Sequence, residues 1–512
     1  MSEPRADEQL ILAIDVGTTS VKAVVFDTQA NARGSGDRGY SLHEPAFGQA
    51  EQDADEVIDA TLQAARAAVQ ARGSDRIAGV SLSAAMHALV GLDGDGRPIT
   101  PLVTWADSRA AEQAERLRAE HPDLHARTGT PLHPMAPLVK LVWFAEQEPE
   151  LHARVARWVG IKELLVHRLT GEWLIDASCA SGTGLMHSED LQWDDEALEV
   201  AGVRAEQLCR IVPTTHQLPL SYAELGLSRG TPVVLGGGDG PLANLGLGAV
   251  GPGVAACSIG TSGALRLTVP RPGIDPEGHL FCYVLTPERW ILGGAINNGG
   301  SVLQWLGAAL APDLDEHAEA TLLELAAEIP AGSEGLIMLP YLLSERAPHW
   351  SALPRGAYVG LRHFHRRGHL IRAAIEGVCQ QLALVLESIT DAGHDVGEIR
   401  ATGGFARSPW WRQLLSDVLG MPVGFAHGAQ GSALGAALLG LYALGLIDSI
   451  DRAAELVTVS DRVQPDPDAC ALYAELRPLF AELYDDLSPA FRALARAERH
   501  RPDLAPTRQK LT

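Results

Sequence analysis

Residues 10–27 read LILAIDVGTTSVKAVVFD. An apolar run closes at Asp15, a turn of Gly17, Thr18, Thr19 and Ser20 follows, and a second β-branched run leads away. Two such runs around a small turn read as a β-hairpin. The N–H groups and hydroxyls of this turn can ring an anion such as a phosphate, and Gly17 lets a ligand approach the backbone. Asp15 does not favour a bare phosphate. It suits a hard divalent ion such as Mg²⁺, which keeps most of its water and takes few carboxylates. An ordinary hairpin with a capped turn fits the same residues.

A second copy sharpens the reading. Residues 256–269 read ACSIGTSGALRLTV, with Gly260 and Thr261 in the places of Gly17 and Thr18. Ser258 stands where the first copy has Asp15. A repeat spaced by nearly half the chain points to two related halves, not to a solenoid of short units. One loop is equipped for metal and phosphate, the other for phosphate alone. Facing each other, they would clamp a nucleoside triphosphate between two domains.

Size and charge set the outer bounds. A chain of 512 residues has room for two or more domains, and 46% hydrophobic content is normal for a globular protein. The formal net charge of −23 argues against a nucleic-acid surface. The six cysteines form no CxxC pair and no zinc spacing, which reads as reduced and cytoplasmic. The polar N-terminus does not resemble a signal peptide, and no uninterrupted apolar run approaches membrane-spanning length. The expected partner is therefore a small molecule, with no nucleic acid and no membrane. A homodimer is compatible with the reading.

Along the chain, residues 53–72 read as a helix with acidic residues in its first turn and Gly73 after its end. Residues 77–83 form a buried strand that delivers Ser83 to His87 at its carboxyl end, where ligands of parallel sheets collect. Residues 128–137 are a proline-rich loop, and residues 176–184 a loop of small residues. The strand 232–235 runs into Gly236, Gly237, Gly238 and Asp239. Pro252 and Gly253 break the chain, so the main boundary falls near residue 250. That gives domains at 10–250 and 251–450 and a helical extension at 451–512. In the second half, Asn297 to Gly300 precede a helix carrying Gln304, and the strand 399–402 runs into Gly403 and Gly404. Helices are expected at 369–389, 432–446 and 467–494, with residues 498–512 as a disordered tail.

The chain contains no GxxxxGK[ST] loop, so a nucleotide must use the hairpins. The GxGxxG at 246–251 is a poor dinucleotide fingerprint, because it follows a helix-like stretch and is stopped by Pro252 and Gly253. Asp239 follows three glycines at a strand end, where a carboxylate can accept the proton of a substrate hydroxyl near a transferred phosphoryl group. It can equally be a helix N-cap. Met86 and His87 can line a pocket, with His87 donating to a sugar hydroxyl or carboxylate, or simply end a strand. Trp105, Asp107 and Arg109 combine a stacking face, a carboxylate and a guanidinium, which suits a polyhydroxylated ligand; helix capping by Asp107 is the plainer alternative. Gly404 would let an adenine lie on the backbone, or mark an ordinary turn.

With these residues in place, the chain resembles the FGGY family of carbohydrate kinases over about residues 10–450. The first hairpin is similar to that family's phosphate motif, and residues 135–144 (MAPLVKLVWF) and 356–361 (GAYVGL) to its signatures. The resemblance implies an α/β fold of two actin-like ATPase (ribonuclease H-like) domains with a cleft between them, using ATP and Mg²⁺. It implies Asp15 as a Mg²⁺ ligand through water, Thr18 and Thr19 toward the phosphates, and Asp239 as the base. It places Met86 and His87 on the sugar, with Trp105 and Asp107 near it. Gly260 and Thr261 would meet the terminal phosphates, Gly300 and Gln304 would sit on the nucleotide side, and Gly404 and Ser408 would flank the adenine. Many relatives carry Asn at the position of Ser408. Within the family, residues 127–137 (RTGTPLHPMAP) and 160–163 (GIKE) resemble the gluconokinase branch, which implies D-gluconate as substrate and 6-phospho-D-gluconate as product. Arg109, Lys140, Lys162 and His133 are the candidates to pair the substrate carboxylate. A pentulose or other polyol kinase, and a non-catalytic actin-like sensor, are the alternatives.

Overall fold

The computed structural model describes residues 9–500, apart from 47, 75, 223–224, 274, 314–317 and 427–430. Its first sheet runs, edge to edge, Gln217–Pro219, Pro232–Gly238, Ile77–Ala84, Leu10–Val16, Ser20–Asp27 and Ala32–Gly39. Leu10–Val16 is antiparallel to Ser20–Asp27 and parallel to Ile77–Ala84. The second sheet runs Phe281–Thr286, Arg289–Ile296, Gly263–Val269, Val254–Ile259, Glu398–Thr402, Val423–Ala426 and Val459–Val463. Its strand Val254–Ile259 repeats the arrangement, antiparallel to Gly263–Val269 and parallel to Glu398–Thr402. The fold is the duplicated actin-like, ribonuclease H-like α/β architecture.

Leu10–Val16 is buried along its whole length except at Asp15, which is half-buried. Both alternating sets of side chains are covered, as in a strand sandwiched between helices. Ala54–Arg72 packs against this sheet, held at its start by Asp53, whose side chain accepts from the N–H groups of Asp55 and Glu56. Truncating a core residue such as Ile14 to Ala would cost about 2–5 kcal/mol.

The helix Gly431–Ala443 comes from the second half but packs on the first sheet, against Leu10–Val16 and Ile77–Ala84. It also crosses Asp239–Gly246 so closely that a Cβ on Gly435 would sit 1.9 Å from the Leu242 carbonyl oxygen. Only glycine permits that approach. The two crossing helices tie the halves together beside the strand ends that carry Asp15 and Asp239.

Two local expectations change. Residues 176–184 are not only a loop: Ala177–Ser181 is a short helix, capped by Asp176, which accepts from the Cys179 N–H at 3.0 Å. The last helix runs Pro467–His500, beyond residue 494 and through Pro478 and Pro489. The expected tail therefore begins inside a helix, and its residues 501–512 lie outside the described residues. Arg367–Asp391 has the length and composition to cross a membrane, but 89% of its apolar window is buried inside the protein. It serves as a core helix of the second half.

Candidate active site

Register brings the site together. Asp15 lies opposite Ser83 and Val16 opposite Ala84, while Gly237 and Gly238 pair with Ser83 and Ala84 from the other side. The first hairpin tip, the segment from Ser83 to His87, and Asp239 thus leave the carboxyl ends of three adjacent strands. The tip is braced from outside. Tyr40 Oη donates to the Gly17 carbonyl at 2.5 Å, Gln52 Nε2 to the Thr18 carbonyl at 2.6 Å, and Trp105 Nε1 to Thr18 Oγ1 at 2.7 Å. Thr19 and Ser20 remain exposed.

Asp15 accepts two hydroxyl hydrogen bonds, from Ser83 and from Ser432, each at 2.6 Å. Burial raises its pKa, and the two hydroxyls and Lys22 counter only part of that. Asp239 begins the helix Asp239–Gly246 and accepts from the Gly240 N–H at 2.8 Å. Burial, followed by the charge of Asp15, pushes its pKa up to about 6, with Arg266 pulling the other way. A Cβ on Gly238 would lie 2.5 Å from Met86 Sδ, so the glycine before Asp239 is what lets Met86 pack against it.

His87 has a left-handed backbone, φ 69°, a strained state for a non-glycine residue and one that clusters at functional sites. Its Nδ1 lies 2.7 Å from the Gly182 carbonyl. A carbonyl only accepts, so Nδ1 carries the proton and Nε2 is an acceptor. Burial lowers its pKa to about 3, which keeps the ring neutral. This corrects one expectation: the free nitrogen of His87 is an acceptor and cannot donate to a hydroxyl or a carboxylate.

The expected carboxylate partners are also revised. Lys140 Nζ donates to the carbonyls of His87 at 2.6 Å, Thr104 at 2.8 Å and Val103 at 3.4 Å. Lys162 pairs with Asp176 at 2.8 Å and donates to the Gly237 carbonyl at 2.8 Å. Arg109 is shared between Asp107 at 2.8 Å and Glu51 at 2.5 Å, over the Trp143 ring. Asp107 is consumed in the same way, since it also accepts from the Ala50 N–H at 2.7 Å. These groups shape the loops around the pocket. His133 is the candidate with a buried nitrogen left over, its Nε2 having no partner.

On the other side, Gly260 and Thr261 form an exposed tip seated on the helix Gly300–Leu310. Gly300 N–H donates to the Gly260 carbonyl at 2.7 Å, and the Gly299 and Ser301 N–H groups donate to the Thr261 carbonyl at 3.1 Å. Gln304 is exposed on that helix. Gly404 is exposed beyond the strand Glu398–Thr402, the parallel neighbour of the hairpin strand. Ser408 caps the helix Pro409–Leu419 by accepting from the Trp411 N–H at 3.3 Å, which leaves its hydroxyl proton and one lone pair for a ligand.

Two family models match almost end to end: the N-terminal domain of the FGGY family of carbohydrate kinases over residues 10–246, and its C-terminal domain over residues 255–444. The chain belongs to the FGGY family of carbohydrate kinases. Among FGGY relatives, a gluconokinase of Bacillus subtilis (strain 168) is 39% identical over 92% of this chain and 95% of its own. Two solved structures from Lactobacillus acidophilus, described as a gluconate kinase and a ligand-bound xylulose kinase, each superpose with a TM-score of 0.90. Both are 34% identical and cover 95% of this chain and 100% of their own.

Sequence reasoning missed Ser432, which bonds Asp15, Arg266, which acts on Asp239, and Arg346, which lies over Trp105. Arg266 was legible in principle, as a single charge in the apolar strand that follows the second hairpin turn. Ser432 and Arg346 carry no local signal of that kind.

Proposed function

We propose that the protein transfers the terminal phosphoryl group of ATP to D-gluconate, giving 6-phospho-D-gluconate. The observation that carries the chemistry is Asp239, a half-buried carboxylate tuned to about 6 at the junction of the two hairpin-bearing sheets. Such a group is ionised near neutral pH yet basic enough to take the proton of the terminal hydroxyl as the phosphoryl group arrives. The hairpin N–H groups, Thr18, Thr19 and Thr261 would hold the nucleotide phosphates, with Gly300, Gln304, Gly404 and Ser408 on the nucleotide side. Met86, His87 and Trp105 would line the sugar, and Arg266 would offset negative charge beside the base.

The residues present fit Mg²⁺. Asp15 has both oxygens bonded to neutral hydroxyls and a second carboxylate acting nearby, an arrangement that a cation relieves. Among the described residues no cluster of three or more His, Cys, Asp or Glu side chains forms a metal cage. That suits an ion held mainly by water and phosphate. When bound, Mg²⁺ would neutralise charge on the phosphate oxygens, and Asp15 would hold it through water.

The gluconate assignment is supported by the Bacillus subtilis relative and by the loop containing His133. The xylulose kinase neighbour supports a pentulose as the second reading. ADP release with Mg²⁺-ATP, with D-gluconate, D-xylulose, L-ribulose and glycerol offered separately, decides between them. Turnover dependent on gluconate is the expected result. Turnover with a ketopentose alone would overturn the substrate, and none with any of them would overturn the activity. We place the enzyme in the cytoplasm, in keeping with six free cysteines.

A further inference from the structure

A sugar acid brings one negative charge into the pocket, and Lys140, Lys162 and Arg109 are already spent. Two guanidinium groups of the second half remain. A Cβ on Gly240 would be 3.9 Å from Arg266 Nε, so Arg266 belongs to the Asp239 end, where the reacting hydroxyl sits. Arg346 stands over Trp105, its guanidinium carbon 4.8 Å from the ring centre, within reach of the charges of Asp239 and Arg266.

Arg346 is half-buried and poorly satisfied. Its Nη2 donates to the Ile296 carbonyl at 3.1 Å, while its Nε is buried with no partner. Among the described residues it forms no ion pair. The charge of the neighbouring Glu345 favours the guanidinium, but that carboxylate makes no ion pair with it and has its own oxygens engaged. Oε1 accepts from the Asn297 and Arg346 N–H groups, and Oε2 from Asn298 and Gln381 side chains, all at 2.7–2.8 Å.

Two more donors share its fate. The Met135 N–H donates to His133 Nδ1 at 3.2 Å, so the proton of this ring sits on Nε2, which is buried and unpartnered. Tyr283 Oη is likewise buried without a partner, on a ring 5.6 Å from that of His87. Trp350 bridges Arg346 and His133, its N–H donating to the Arg346 carbonyl at 2.6 Å and its ring lying 6.0 Å from the imidazole, and the charge of Arg346 also reaches His87 and Tyr283. Arg346 and the His133 Nε2–H can only donate and the Tyr283 hydroxyl can donate as well, so these unpartnered groups are met best by an anionic acceptor. A guanidinium fork matches a carboxylate best of all.

We propose that Arg346, flanked by His133 and Tyr283, binds the substrate carboxylate and sets the preference of the enzyme for aldonates over neutral polyols. The inference rests on the kinase reading above. The acidic end of the six-carbon chain lies at Arg346, the hydroxyl end at Asp239, and His87 accepts from a hydroxyl between them.

The test compares kcat/KM for D-gluconate with that for D-gluconamide, which keeps the chain and loses the charge. The wild-type ratio is expected to be about 100 or more, as for a buried charge-assisted pair. In Arg346→Gln the ratio should fall toward one, and Arg346→Lys should keep part of it, since lysine retains the charge but not the fork. Should Arg346→Gln fail to fold, Tyr283→Phe removes a single donor and should lower the ratio about fivefold to tenfold. Variants that lose activity on both substrates equally, keeping the wild-type ratio, overturn the assignment while leaving the gluconate reading intact. A wild-type enzyme that phosphorylates gluconamide and not gluconate would overturn both.

Discussion

Ser432 donates a 2.6 Å hydrogen bond to Asp15 across 417 residues of sequence. The crossing helix of the second half therefore finishes the carboxylate at the mouth of the first hairpin, while Ser83 holds its other oxygen. Both hydroxyls favour the ionised form against a burial that disfavours it.

Removing one of them has a defined sign. In Ser432→Ala the pKa of Asp15 rises further, so activity is lost at a higher pH on the acid side and more Mg²⁺ is needed. A loss of about threefold to tenfold near neutral pH is expected for one such hydrogen bond. Profiles of kcat/KM against pH at low and high Mg²⁺ measure it. An unmoved acid limb would mean that Ser432 only packs the helix.

The acid limb of the wild-type enzyme should lie near pH 6, the value to which burial and Asp15 push Asp239. The base works ionised, so activity rises as pH climbs through that value. His87, held near 3, contributes no charge change in that range. His87→Asn should therefore raise the KM for the sugar about tenfold, through a lost hydrogen bond, without displacing the limb. A displaced limb would reassign it to the histidine.

Lys140 ties together loops that meet only in the fold, through the carbonyls of His87 and Thr104. Lys140→Met leaves buried acceptors unpaired and frees a strained backbone at His87. A stability loss of about 2–4 kcal/mol is expected, together with a raised KM for the sugar. Urea unfolding and initial-rate kinetics test the two effects separately. Lower stability with an unchanged KM would show that Lys140 does not position His87.

What the sequence made legible was local. The paired hairpins, the glycines before Asp239 and the capped helix after Asp53 announce themselves within a few residues, because turn chemistry and alternation act over that range. The cations defeated sequence reading for the opposite reason. Lys140 and Lys162 lie near the sugar loops in sequence, but their partners are carbonyls and a carboxylate gathered by the fold. Arg346 reaches Trp105 from the other half of the chain. The short helix Ala177–Ser181 was hidden by its length, since five small residues carry no period.

Gluconate-dependent ADP release by the wild-type enzyme and by Asp239→Asn, across about pH 5 to 9, tests the central claim most directly. The account predicts a wild-type acid limb near pH 6, a loss of about a hundredfold to ten-thousandfold in kcat for the variant, and no limb in what activity remains. A variant that keeps full activity with the wild-type pH profile would contradict Asp239 as the base and, with it, the mechanism drawn from this site.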